Sequence, residues 1–160
     1  MTNLQVPPEA APAAQATTLV LQGVYLKDCS FEAPQGPRGN GEWNPQISLD
    51  LNTTVQPLGN DVREVVLTVT VSAKQNETTM FLVEVKQAGA FMMRNLSEDE
   101  ARRAIGTVCP NVLFPFARAA VSNLVTQGGF PQFLLPPVNF EALYERALTD
   151  ARNQAPATQN

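Results

Sequence analysis

The chain has 160 residues, 44% of them apolar and 16% charged, with 15 acidic side chains against 11 basic ones and no histidine. That length suits one domain with room for a sheet and a helical layer, and a net charge of −4 lacks the clustered positive charge that a nucleic-acid partner requires. Without histidine, neither a histidine-dependent catalytic triad nor a histidine metal site can form.

Residues 1–17 are rich in Ala, Pro, Gln and Thr with no periodicity, which predicts a disordered arm because such a segment buries too little to offset its ordering entropy. The start has neither the basic residues nor the apolar core of a signal peptide. No apolar run reaches the ~18 residues of a membrane span. The chain is therefore expected in the cytoplasm, without direct membrane insertion.

Four segments alternate with the period of a strand: Leu19 to Lys27, Gln46 to Val55, Val62 to Ala73 and Thr79 to Phe91. In the second, Ile47, Leu49, Leu51 and Val55 oppose Ser48, Asp50, Asn52 and Thr54, so one face of the sheet is wet. Lys74 to Glu77 supplies a turn between the third and fourth strands. The link from Phe31 to Pro45, which holds the only tryptophan, Trp43, is too long and too rich in Gly and Pro for a hairpin and is expected to cross over. In the fourth segment Phe81, Val83 and Val85 share one face and Met80, Leu82, Glu84 and Lys86 the other. If the Phe81 face meets the helices, Leu82 is an apolar residue among charges on the wet side, a common enough situation for a single leucine.

Beyond Phe91 the period changes. Ser97-Glu98-Asp99-Glu100 reads as a capping box opening a short helix that runs to about Thr107. A second helix is expected from Asn111 as N-cap to the Gly128-Gly129 stop, with Pro115 in or beside its first turn. Its apolar arc, including Leu113, Phe114, Phe116, Ala117, Ala120, Val121, Leu124 and Val125, is broad enough to want two burying partners, its own sheet and a second subunit. A third helix starts at Asn139, with Val138 and Leu143 placed as a hydrophobic staple.

Cys29 and Cys109 are too few for a disulfide framework and are expected to be free. Cys109 precedes a helix start, where a thiol pKa can fall, but no histidine is available as its base, so a buried structural role is expected. No phosphate-cradling glycine loop is present. The sequence therefore points to a protein that is not an enzyme and needs no cofactor or metal.

The stretch from Cys109 to Tyr144 combines apolar content with heavy punctuation. Its blocks Cys109-Pro110-Asn111, Leu113-Phe114-Pro115, Gly129-Phe130-Pro131-Gln132 and Pro137-Val138-Asn139-Phe140 resemble those of SecB, the bacterial export chaperone family. Tyr25, Lys27-Asp28, Ser30-Phe31-Glu32-Ala33-Pro34 and Glu64-Val65-Val66-Leu67 extend the resemblance in the same order over roughly residues 18 to 150.

The resemblance implies an α+β fold, with a four-stranded antiparallel sheet, helices on one face and a long crossover loop between the first two strands. The domain is expected over residues 18–152, followed by a flexible tail over 153–160. The resemblance further implies a homotetramer built as a dimer of dimers, which holds unfolded precursor proteins without ATP and delivers them to the SecA ATPase. Asp28, Glu32, Leu82 and Glu84 match the positions with which family members dock SecA. Tyr25, Trp43, Val112 and Phe114 are candidates for the client groove, though each also fits plain core packing. Ala117, Ala120, Val121 and Leu124 are candidates for the subunit interface. Two alternatives remain: a solitary relative serving a toxin–antitoxin pair, and a small-ligand-binding β-sheet protein.

Overall fold

The computed structural model describes residues 14–37 and 41–155. Most of the expected N-terminal arm lies outside them, as does the end of the expected tail. Four strands, β1 (Thr18–Glu32), β2 (Gln46–Gly59), β3 (Val62–Gln75) and β4 (Thr78–Arg94), are followed by three helices, α1 (Glu98–Gly106), α2 (Val108–Gln127) and α3 (Phe140–Gln154). The last helix continues through Asn153 and Gln154, two residues into the segment expected as tail.

All strand pairs are antiparallel, in the order β1-β4-β3-β2. The first two strands therefore occupy opposite edges, and the link between them, described at residues 33–37 and 41–45, passes from one edge to the other. β2 and β3 are joined through Asn60 and Asp61 (φ 53° and 63°), and β3 and β4 through Asn76 and Glu77 (φ 51° and 64°). Positive φ at both central residues is the twist that matches two-residue hairpins, and Asn and Asp tolerate it best.

The core lies between the sheet and α2. Val65, Leu67, Val69 and Val71 of β3 and Phe81, Val83, Val85 and Phe91 of β4 have almost no exposed surface, and they meet Cys109, Leu113, Ala117, Val121 and Val125 of α2. Each fully buried Val or Leu contributes about 1.5–3 kcal/mol. Gly89 lets this layer close, because a Cβ there would stand 2.8 Å from the Phe91 ring and 2.9 Å from Leu113.

The capping box forms as the sequence predicts: the Glu100 amide donates to Ser97 Oγ (3.2 Å) and the Ser97 amide to the Glu100 carboxylate (2.7 Å). Asn139 likewise caps α3 by accepting from the Ala142 amide at 3.0 Å. The expected start of α2 needs correction. Asn111 is not its N-cap but lies inside it, donating its amide to the Thr107 carbonyl at 3.1 Å. The helix begins one turn earlier because Pro110 falls in its first turn, where a missing N–H costs no intrahelical bond.

The stripe on α2 is also redistributed. Ala117 and Val121, expected at a subunit interface, have no exposed surface and face the sheet, whereas Ala120 and Leu124 are half-buried. With Val112 and Phe116, which is 50% exposed, these two form a ridge at four-residue spacing along the flank of the buried stripe. Taken together, α1 and α2 are long and apolar enough by composition to cross a membrane, which run length alone did not show. The side of α2 turned to the sheet accounts for much of that apolarity.

Candidate functional site

Pairing between β1 and β4 places Glu32 opposite Leu82, Ser30 opposite Glu84 and Asp28 opposite Lys86. Directly paired residues share a face, so Asp28, Glu32, Leu82 and Glu84 all stand on the side of the sheet away from the helices. Alternate residues along a strand and neighbours across it put the four within about 14 Å of one another. Leu82 is 38% exposed, Asp28 and Glu32 are exposed and Glu84 is half-buried, accepting from the Thr70 hydroxyl at 3.3 Å. Asp28 and Glu32 were expected beyond the end of the first strand; they lie inside β1, which continues past a bulge at Lys27.

Sequence reasoning missed a member of this surface. Pairing of β2 with β3 sets Asp50 opposite Thr70, which is itself opposite Glu84. Asp50, Thr70, Glu84 and Ser30 therefore form one row across all four strands. Alternation alone put Asp50 on the wet face, but only the register puts it in line with Glu84.

The same open face holds a polar cluster. Glu64, 6% exposed on β3, accepts from the Tyr25 hydroxyl, the Lys27 ammonium and Gln56 Nε2, the last at 2.8 Å. Its carboxyl is held below the usual range chiefly by the hydrogen bond from Lys27 and then by that from Tyr25. The Tyr25 hydroxyl is pushed up to about 12, first by its bond to Glu64.

The four client-groove candidates do not converge. Tyr25 is on the open face, in the Glu64 cluster. Trp43 packs on Phe130 with centroids 5.5 Å apart and lines a cleft of about 570 Å³ with Pro37, Met80, Gly129 and Pro131. Val112 lines a separate cleft of about 540 Å³ beside Val108, Pro137 and Phe140. Phe114 is 6% exposed and sits edge-on to Phe140 at 5.7 Å, inside the core. A third cleft, about 550 Å³, runs between Leu49 and Leu51 of β2 and Pro137, just before α3, and Leu143 within it. Its signal in the sequence was the apolar row on β2, which remains partly exposed: Ile47 is 36% and Leu49 37% exposed.

Cys29 is exposed and Cys109 buried, and both thiols are free. Burial pushes the Cys109 thiol up to about 12, the opposite of an activated nucleophile. Among the described residues no cluster of three or more Cys, Asp or Glu could hold a metal ion.

The SecB family profile, described as preprotein translocase subunit SecB, matches residues 12–151. The chain is 49% identical over 138 residues to the protein-export protein SecB of Halorhodospira halophila, covering 86% of this chain and 80% of that one. It is 52% identical over 137 residues to that of Pseudomonas aeruginosa (84% and 83%), and 45% identical over 152 residues to that of Stutzerimonas stutzeri (93% of each). Among solved structures, a SecB-like chaperone of Mycobacterium tuberculosis, in complex with a peptide from the HigA1 antitoxin, superimposes with a TM-score of 0.64 at 15% identity, over 76% of this chain and 91% of that one. At that identity the likeness concerns the fold. The sequence matches, by contrast, run through the strands and the helical signature alike, and the chain belongs to the SecB family of protein-export chaperones.

Proposed function

We propose that the chain is an ATP-independent holdase that keeps precursor proteins unfolded in the cytoplasm and delivers them to SecA. The observation that carries this reading is the register between β1 and β4. Asp28, Glu32, Leu82 and Glu84, dispersed over 57 positions of sequence, share one predominantly acidic surface, with the exposed Leu82 opposite Glu32 at one end and Lys86 opposite Asp28 at the other. An acidic surface steers a basic partner, and an apolar contact gives localised burial.

The other half of the function falls to the helix side. Clefts beside Val112 and between β2 and α3 offer mainly apolar walls, and the one beside Trp43 sets apolar side chains against Gln35, Gln75, Asn76 and Thr78; such mixed, open surfaces suit a binder that must accept many sequences. Holding acts by mass action: affinity for the non-native chain lowers the free concentration able to fold. The ridge Val112, Phe116, Ala120 and Leu124 supports assembly into a homotetramer, with a second subunit covering what the sheet does not.

Export is favoured over service to a toxin–antitoxin pair because the relatives at 45–52% identity are protein-export proteins, whereas the chaperone seen with an antitoxin peptide shares 15%. The test is reconstitution. The purified assembly should delay refolding of a slow-folding precursor without nucleotide and bind SecA with the precursor in place. A requirement for ATP in delaying refolding, or failure to bind SecA, would overturn the reading.

A further inference from the structure

β1 carries two register shifts against β4, one at Gln22 and one at Lys27. The second decides the docking face. Before it, Leu26 is opposite Gln87; after it, Asp28 is opposite Lys86. If the extra residue were absorbed and the earlier register continued, Asp28 would fall opposite Val85 and Glu32 opposite Phe81. Because side chains alternate with a period of two, this slip would turn both carboxylates toward the helix layer and Phe31 toward solvent.

Something must therefore hold the bulge in place. On its far side Phe31 does so, stacked on Phe81 at 6.0 Å and tilted against Phe130 at 6.3 Å, in space left by Gly128, where a Cβ would stand 2.3 Å from the Phe31 ring. On its near side apolar burial is weak: Leu26 is 50% and Tyr25 40% exposed. The anchor there is polar. Tyr25 and Lys27, flanking Leu26, both reach over β4 to the one carboxylate of Glu64 on β3, while Gln56 meets it from β2. Small residues make the crossing feasible, since Tyr25 is opposite Ala88 and Glu64 opposite Ala90.

We infer that Glu64 is a positioning residue for the acidic docking face: by tying Tyr25 and Lys27 across the sheet it fixes the Lys27 bulge and with it the side on which Asp28 and Glu32 stand. This rests on the docking role proposed above. Glu64 itself is almost buried and does not touch the partner; it acts through β1.

The test uses the full-length assembly with Glu64→Gln, Lys27→Met and the conservative Lys27→Arg, and measures amide hydrogen exchange along β1 together with affinity for purified SecA. Glu64→Gln and Lys27→Met should speed exchange from Leu26 to Ser30 by about tenfold while Val69 and Val83 stay protected. They should weaken SecA binding by about five- to tenfold through lost preorganisation, and Lys27→Arg should restore both. Unchanged exchange on β1 in both variants overturns the inference. So does faster exchange with undiminished SecA binding, provided Glu84→Lys on the same surface weakens that binding. If Glu84→Lys leaves binding intact, the docking reading fails on its own, and exchange on β1 alone then judges whether Glu64 holds the bulge.

Discussion

Val83 and Glu84 are one peptide bond apart in β4, yet they belong to different parts of the protein. Val83 has no exposed surface and lies between Phe31 of β1 and Val71 of β3, under α2. Glu84 lies between Ser30 and Thr70 on the open side. The first face holds nearly all the apolar burial, so a change there acts on folding. The second holds Asp28, Asp50, Glu32 and Glu84 beside Leu82, so under the proposed docking role a change there acts on encounter with a partner. An antiparallel sheet packed on one side separates these two tasks residue by residue.

The sharpest way to break this comparison is to put a charge on the packed face. Val83→Lys leaves an unpaired ammonium in the core and should cost about 3–5 kcal/mol, seen in urea or thermal denaturation as collapse of the cooperative transition. A native midpoint for that variant would show that the faces are assigned the wrong way round. Ala120→Asp probes the outer side of the helical layer. It should leave the chain folded but shift light scattering from a tetramer toward species nearer the 17.3 kDa chain, because a subunit interface tolerates an unpaired carboxylate poorly.

Effects on the open face should be smaller for stability and specific to docking. Leu82→Arg should change stability by no more than about 0.5 kcal/mol and speed dissociation of SecA by about 30-fold, the loss of an apolar contact worth about 2 kcal/mol. Glu84→Lys should instead slow association and weaken its salt dependence, both readable by stopped-flow binding at several ionic strengths.

The smallest expected effect concerns pH. Because the Glu64 carboxyl is held below its usual range, its contribution is present above the ordinary carboxylate pKa and is lost as pH falls through the lowered folded value. Tyr25 is raised from 10.0 to about 12 and Cys109 from 9.0 to about 12. Their contributions are present below those ordinary values and fade as pH rises toward 12. Urea midpoints should therefore peak between these limits. Glu64→Gln should flatten part of the acid limb, with the rest remaining through Glu100, whose carboxyl is lowered by the Ser97 cap.

How much of this was legible in the sequence follows from range. The Ser97 and Asn139 caps, the turn at Asn76 and the alternation of β4 from Phe81 to Lys86 are local patterns, and each stands where its residues predict; Met80, expected on the wet face, instead falls at a register shift and is buried in the core. The bulge at Lys27 breaks the period-two pattern, so the sequence predicts a first strand that ends there, whereas β1 continues to Glu32. The start of α2 lies one turn before the expected one because Asn111 has the side chain of an N-cap, whereas the helix opens at Val108 and takes Pro110 into its first turn. Strand order and the Glu64 tie depend on pairings between residues as far apart as Tyr25 and Glu64, which alternation cannot register. The four expected docking positions rest on resemblance to a family, and the pairing of β1 with β4 puts them on one face of the sheet.

Carboxyl footprinting with and without saturating SecA tests the central claim most directly, because it reads the acidic side chains themselves on an unaltered assembly. Asp28, Glu32 and Glu84 should lose reactivity when SecA binds, while Glu77 in the β3–β4 turn and Glu98 and Asp99 at the start of α1 keep theirs. Unchanged labelling of Asp28, Glu32 and Glu84 in the saturated complex would contradict the account.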